Sequence, residues 1–327
     1  MSSLLVATDD RVVRIEADGS AWTATEALAG SGAQCVAVDP RRPETAYVGC
    51  RGAGVWKTED GGDTWRDVEL PAPDVFAVAV SPIDGAVYAG CEPSALYRSE
   101  DGGGRWVELE ALRAIPSAPT WSFPPRPWTS HVRWIAPSPH EAGRLLVGIE
   151  LGGLMLTADG GATWADHRPG ARRDVHALAW HATAPGRAYQ AAGDGPAWSL
   201  DGGESWRTDD GGLDRLYTWA LAVDPANPDR WYVSAATGPF RAHGRGPSDA
   251  AVYVREADRP WERLGHGLPD PLDALPYALV ADGERLYAGL GDGAVYESAD
   301  RGASWRPLRI AGAAPAHVSA MALGAYS

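Results

Sequence analysis

Short runs in which apolar and polar residues alternate, each four to eight residues long and bounded by Gly, Pro, Asp or Ser, repeat along the chain. One stretch supplies the full set, "VFAVAVSP", "AVYAGC", "ALYRSED" and "WVEL", and the alternation predicts four consecutive short strands. The first kind of run returns as "CVAVDP", "VRWIAPSP", "VHALAWHA", "TWALAVDP" and "YALVAD". The second returns as "TAYVGC", "RLLVGI", "RAYQAA", "RWYVSA" and "RLYAGL". No segment carries the 3.6-residue period of a long amphipathic helix, so the pattern predicts an all-β chain.

The runs are in register with a second repeat. "KTEDGGDTW" returns as "RSEDGGGRW", "LTADGGATW", "WSLDGGESW" and "ESADRGASW", with decayed copies "EADGSAW" and "READRPW". Their tryptophans, Trp22, Trp65, Trp106, Trp164, Trp206, Trp261 and Trp305, are spaced by 43, 41, 58, 42, 55 and 44 residues. A four-stranded unit of just over forty residues reads as one propeller blade, which buries its faces only when stacked between neighbours. The expectation is one domain over residues 1–327, a seven-bladed β-propeller of four-stranded blades. The chain starts on a second-type strand, "LLVAT", and ends on a first-type strand, "HVSAMALG". The last strand therefore completes the N-terminal blade and leaves the ring without an open edge.

Each repeat joins a third strand to a fourth in the pattern Ser/Thr, any, Asp, any, Gly, any, Ser/Thr, Trp. Here the chain resembles the Asp-box or BNR-repeat propellers, which include sialidases, xyloglucan-cleaving glycosidases, sortilin-type receptors and a photosystem assembly factor. That resemblance implies the fold, and because those relatives share no single activity it does not imply a reaction. Physically, Asp60, Asp101, Asp159, Asp201 and Asp300 suit Asx turns, and Gly62, Gly103, Gly161, Gly203 and Gly302 permit positive φ. Carboxylates spaced around a ring cannot meet on one substrate, so the boxes read as scaffold.

Composition narrows the function. Gly and Pro, at 39 and 26 residues, suit a turn-rich fold, and 15 Trp supply a large indole-bearing core. A net charge of −14 disfavours nucleic-acid and anionic-membrane partners. Without a basic leader or a long apolar span the expected location is cytoplasmic. Cys35, Cys50 and Cys91 show no metal spacing and read as reduced, buried thiols.

In an up-and-down blade the boxes share one rim with the first-to-second turns. Two insertions, 111–131 between blades and 236–251 in a second-to-third turn, fall on the opposite rim, where binding residues would concentrate. Of eight histidines, His131, His167, His176, His243, His266 and His317 map to that rim, and His140 and His181 to the box rim.

Aligning inner-strand starts places Phe76, Arg133, His176, Trp219 and Tyr277 at equivalent points around the channel mouth, with Asp74, His131, Asp174 and Tyr217 two residues earlier. The following positions hold Ala77, Ala177, Ala220 and Ala278, as structural positions do; large, varied polar and aromatic side chains instead suit a pocket. Packing between blades is the competing reading for them. Second-to-third turns add Arg51, Glu92, Glu150, Asp194, Arg241 and Asp292.

The candidate catalytic set is Glu150, His131, His176, Arg133 and Asp174, which joins acid–base groups to an anion clamp. A salt bridge from Glu150 to Arg133 that only orders the turn is the alternative. Candidate ligand-binding residues are Arg51, Phe76, Trp121, Trp128, Tyr217, Trp219, Arg241, Tyr277 and His317. The segment "TWSFPPRPWTSHVRW" is similar to a loop in bacterial BNR-repeat proteins labelled glycosidase-like; Trp121, Phe123 and Trp128 either stack on a ligand or plug the channel.

No dedicated metal motif is present. The alternative is a divalent ion at His131, His176 and His317 with Glu150 or Asp174. The expected function is binding of a small molecule or glycan, with glycosidase-like hydrolysis or a lyase reaction at the mouth. A sialidase proper would need three clamp arginines and an "FRIP"-type motif, and neither is evident. The alternative function is a non-catalytic module binding a peptide or protein on the insertion face.

Overall fold

The structure, a computed structural model, describes residues 2–19, 21–125 and 129–325. It is a seven-bladed β-propeller, with seven separate sheets arranged in chain order. Second strands are buried along their length, as in Val87–Cys91, Leu145–Ile149 and Ala188–Ala192, because both faces of each sheet are covered by neighbouring blades. Among the described residues no helix is long and apolar enough to cross a membrane.

Blades interlock through a glycine notch. A Cβ on Gly49, Gly90, Gly148 or Gly289 would come within 2.4–2.7 Å of side-chain atoms, which include Val75, Val132, Val175 and Val318 of the next inner strand. Only glycine leaves room for that approach. Val318 in the last notch belongs to the C-terminal segment, so the final blade step uses the same device as the others. Closure follows as expected: Ala320–Ala325 pairs antiparallel with Ser2–Ala7, from Ser2 opposite Ala325 to Ala7 opposite Ala320.

Two features depart from seven equal four-stranded blades. Ile310–Gly312 runs parallel to Ala21–Ala27 as a fifth strand on the N-terminal blade, covering an outer edge that would otherwise expose unpaired backbone groups. In the fourth and fifth blades the outermost strand shrinks to single bridges, Leu156 to Ala165 and Trp198 to Arg207.

The boxes are self-contained turns. Asp60 Oδ1 accepts from Thr64 N at 2.9 Å and Thr58 Oγ1 at 2.7 Å, and its Oδ2 accepts from Thr64 Oγ1 at 2.5 Å. Gly62, at φ +102°, donates its N–H to Thr58 Oγ1, and Trp65 Nε1 returns to Gly62 O. The pattern repeats at Asp159, Asp201 and Asp300. At Asp101 the hydroxyl partner is replaced by Arg105, and Trp106 Nε1 reaches Val68 O of the preceding blade instead. The hydrogen bonds made by Thr64 hold the Asp60 carboxyl down at about 2.

Cys35, Cys50 and Cys91 are free and buried, and burial pushes their thiols up, Cys50 to about 11 and Cys91 to about 12.

Candidate functional site

Six inner strands break register at their mouth end: between Ala33 and Cys35, Val75 and Ala77, Val132 and Trp134, Val175 and Ala177, Thr218 and Leu221, and Pro276 and Ala278. A bulge leaves one residue unpaired and re-aims it. The residues inside these bulges include Gln34, Phe76, Arg133, His176, Trp219 and Tyr277. With Ser319, which precedes the closing strand, they ring the central channel.

This ring divides the channel. On the box side lies a shaft of ≈ 470 Å³ whose walls are mostly Ala, Val, Leu, Met and Pro. On the insertion side lies a cavity of ≈ 660 Å³ that holds the charged groups. Phe123 and Pro125 of the first insertion and Pro239, Phe240 and His243 of the second share its lining, so both long loops serve one face.

The charged centre lies on the fourth and fifth blades. Glu150, 7% exposed, follows the second strand of the fourth blade. His131 Nε2 donates to Glu150 Oε2 at 2.7 Å, and Arg133 Nε stands 3.5 Å from the same oxygen. Among the described residues no hydrogen bond falls on Oε1. Burial pushes the Glu150 carboxyl up, but the His131 hydrogen bond and the Arg133 charge outweigh it and hold the group down at about 2. His131 is fixed by Phe76, stacked at 4.3 Å, and by the edge of Phe123 at 5.0 Å, and its Nδ1 lies 3.2 Å from Glu92. The Arg133 guanidinium lies over the Trp219 ring at 4.7 Å, reaching across the channel.

His176, 1% exposed, donates Nδ1–H to the Thr218 carbonyl at 2.7 Å, which fixes its tautomer. Its Nε2 is buried with no hydrogen-bond partner and faces Asp174 Oδ1 at 3.5 Å.

The opposite wall is aromatic. His243, from the short helix Pro239–His243, links two phenols: Tyr217 Oη to Nε2 at 2.8 Å and Nδ1 to Tyr277 Oη at 2.7 Å. A neutral imidazole offers one donor and one acceptor, which phenols that both give and take can match. Desolvation among these rings pulls His243 down to about 4, and burial pushes Tyr277 up to about 12. Because the unfolded imidazole titrates near ~6.5, this bridge contributes stability above that pH that is lost as pH falls through 4. An NMR titration should find the His243 ring changing charge near pH 4; a midpoint at the free value would contradict the bridge.

Of the predicted catalytic residues, Glu150, His131, Arg133 and Asp174 line the cavity, and His176 sits immediately beneath at the ring. Arg51, Phe76, Tyr217, Trp219, Tyr277 and His317 also line it, with Arg51 over the Phe76 ring at 5.4 Å. Trp121 does not. It is 8% exposed, packed with Leu112, Ile115 and Ile149 between blades, its Nε1 donating to Ser117 Oγ at 3.1 Å. Arg241 is exposed on the short helix and lies outside the lining, to which the helix contributes Pro239, Phe240 and His243. Trp128 falls outside the described residues.

The histidine trio expected for a metal does not converge. Among the described residues the group whose ligand atoms lie within 4.8 Å of one another is Glu150, Asp174 and His176. His317 instead donates Nδ1–H to Gly291 O and packs on Tyr277 at 5.2 Å. Sequence reading missed Gln34 and Ser319, although both occupy the aligned ring position, and missed the Tyr–His–Tyr bridge, which no local signal carries.

No family model matches the chain, and no curated protein matches it. Solved structures do. An ancestral GH74 enzyme superposes with TM-score 0.64 at 20% identity, over 81% of this chain and 36% of that one. The GH74 xyloglucanase from Xanthomonas campestris gives 0.70 at 17% identity, over 94% and 52%. YCF48 bound to D1 peptide gives 0.59 at 16% identity, over 91% and 94%. They share its fold. The chain thus spans 36% to 52% of the length of the two GH74 enzymes.

Proposed function

We propose that the insertion-face cavity binds a small ring-bearing ligand with an anionic or polyhydroxylated group and acts on it by general acid–base chemistry. The observation that carries this reading is the cluster of Glu150, His131, Arg133 and His176 at the floor of an aromatic-walled cavity of ≈ 660 Å³. Burying such groups penalises folding relative to an apolar floor, so their presence points to a ligand-directed purpose. The Arg133 Nη groups make no hydrogen bond among the described residues, which leaves them available to an anion. Phe123 and Trp219 supply aromatic wall for a ring.

The division of labour follows from the electrostatics. Glu150, held at about 2, is neither a proton donor nor a strong base; it fixes His131 and Arg133. Proton transfer falls to the Asp174–His176 pair. The xyloglucanase neighbour makes a glycan fragment one candidate ligand, yet the usual glycosidase pair needs one carboxyl raised and protonated, and Glu150 is shifted the other way. A lyase or a hydrolase using imidazole fits better.

A peptide ligand is the second reading. Phe240, 93% exposed, and Leu151, 43% exposed, form an apolar lip at the cavity, and one neighbour is bound to a peptide. A thermal-shift screen of sugar acids, other small carboxylates, oligosaccharides and short peptides separates the two. A small anionic ligand at about a hundredfold its Kd should stabilise the protein by ~2.7 kcal/mol. Arg133→Met should weaken that binding at least tenfold. Stabilisation by peptides alone, unchanged in Arg133→Met, would refute the small-molecule reading.

A further inference from the structure

We propose that Glu150, Asp174 and His176 bind one divalent first-row transition ion, Zn²⁺ or Mn²⁺ being the best matched. Two carboxylates alone would carry no such inference; the deciding observation is His176. Its ring is 1% exposed, its Nδ1–H is committed to the Thr218 carbonyl at 2.7 Å, and its Nε2 lone pair is left buried without a hydrogen-bond partner. A histidine held through one nitrogen by a backbone carbonyl and offering the other is the arrangement that orients metal ligands.

The spacing agrees. Asp174 Oδ1 stands 3.5 Å from Nε2, and the ligand atoms of all three residues lie within 4.8 Å of one another. Two donors each ~2.0–2.2 Å from one tetrahedral ion lie about 3.4 Å apart, so 3.5 Å is a ligand-to-ligand distance. Glu150 offers Oε1, since His131 and Arg133 both contact Oε2. One imidazole and two carboxylates suit Zn²⁺ or Mn²⁺ rather than Ca²⁺ and Mg²⁺, which take oxygen shells.

Two groups oppose the ion. Arg133 and His131 both reach Glu150 Oε2 and partly neutralise it. Arg133 is also held over Trp219, so its charge lies beside the site rather than within it. Three protein donors leave room for water or a ligand group, and a bound divalent ion would acidify that water. The site lies at the mouth proposed above: with an ion bound, Asp174 and His176 would serve as its ligands and the ion's water would take over the proton-transfer role given to them, but metal binding itself does not require the small-molecule reading to hold.

The test is isothermal titration of the full chain, stripped with chelator, using Zn²⁺, Mn²⁺ and Ca²⁺ alone, with Co²⁺ absorption as a coordination readout. One equivalent of Zn²⁺ or Mn²⁺ should bind, with Ca²⁺ weaker. Asp174→Asn and His176→Ala should each lower affinity by ~100-fold or more, since even supporting groups around metals are worth ~10–100-fold. Arg133→Met should raise it. His176 packs between blades, so if His176→Ala does not fold, Asp174→Asn and Glu150→Gln decide, with circular dichroism confirming the fold. Absence of saturable binding, or affinity unchanged in Asp174→Asn, would overturn the proposal. Metal binding in a protein that takes up no small molecule would remove the ligand reading and keep this one; the converse result would do the opposite.

Discussion

Replacing Glu150 with Ala is expected to destabilise the protein by about 3–5 kcal/mol, because it leaves the largely buried Arg133 guanidinium without its nearest carboxylate and leaves His131 only Glu92 at 3.2 Å. His131 loses its 2.7 Å partner. Against a total stability of ~5–15 kcal/mol this is a large fraction, and denaturant unfolding would show it as a shifted midpoint. The acid limb gives a second signature. Glu150 is depressed to about 2 from an unfolded value near ~4.3, so its contribution is complete above that value and disappears as pH falls through 2. Glu150→Gln should flatten stability across this window. A variant as stable as the parent at neutral pH, with the same acid limb, would mean that Glu150 does not hold the cluster.

Removing residues 317–327 is expected to abolish the folded monomer. The deletion takes away Val318, which fills the Gly289 notch, together with Met321 and Leu323 of the core between first and last blades. Burying Val318 and Met321 is worth ~1.5–3 kcal/mol each, and partly buried Leu323 adds to it, so the loss is a large share of the stability of the whole domain. The ladder partner of Ser2–Ala7 goes too, leaving an apolar edge open to other copies. Size exclusion and circular dichroism should show aggregate or unfolded chain. A folded, monomeric product would mean that the ring does not depend on its closing strand.

The fold was legible because a blade writes itself locally: period-two strands, a turn with its own Asp and Gly, and the same order seven times. The Asp60-type turns need only residues within the motif, so short-range pattern suffices for them. The ring positions were legible for a related reason. Phe76, Arg133, His176, Trp219 and Tyr277 vary where Ala77, Ala177, Ala220 and Ala278 do not, and the bulges show why, since each lifts one residue out of the ladder and into the channel.

What the sequence could not carry was partner choice. Trp121 reads equally as a ligand-stacking residue or a channel plug, and its packing against Leu112, Ile115 and Ile149 between blades makes it neither. Grouping the histidines by rim put His317 with His131 and His176. His317 is tied instead to the Gly291 carbonyl, and the His176 Nε2 meets carboxylates at Asp174 and Glu150. His243 reads from the sequence as an insertion-rim residue, but its two tyrosine partners are distant in sequence and come from the sixth and seventh blades. The fifth strand at Ile310–Gly312 is set by a free edge on the opposite end of the chain.

A crystal structure with a small carboxylate or glycan fragment selected by the stability screen tests the central claim most directly. The expected result is ligand density on the insertion face, an anionic or hydroxyl group within hydrogen-bond distance of Arg133 and a ring against Trp219 or Phe123. Density confined to the box rim or a blade's outer edge, with the mouth holding only ordered water, would contradict it.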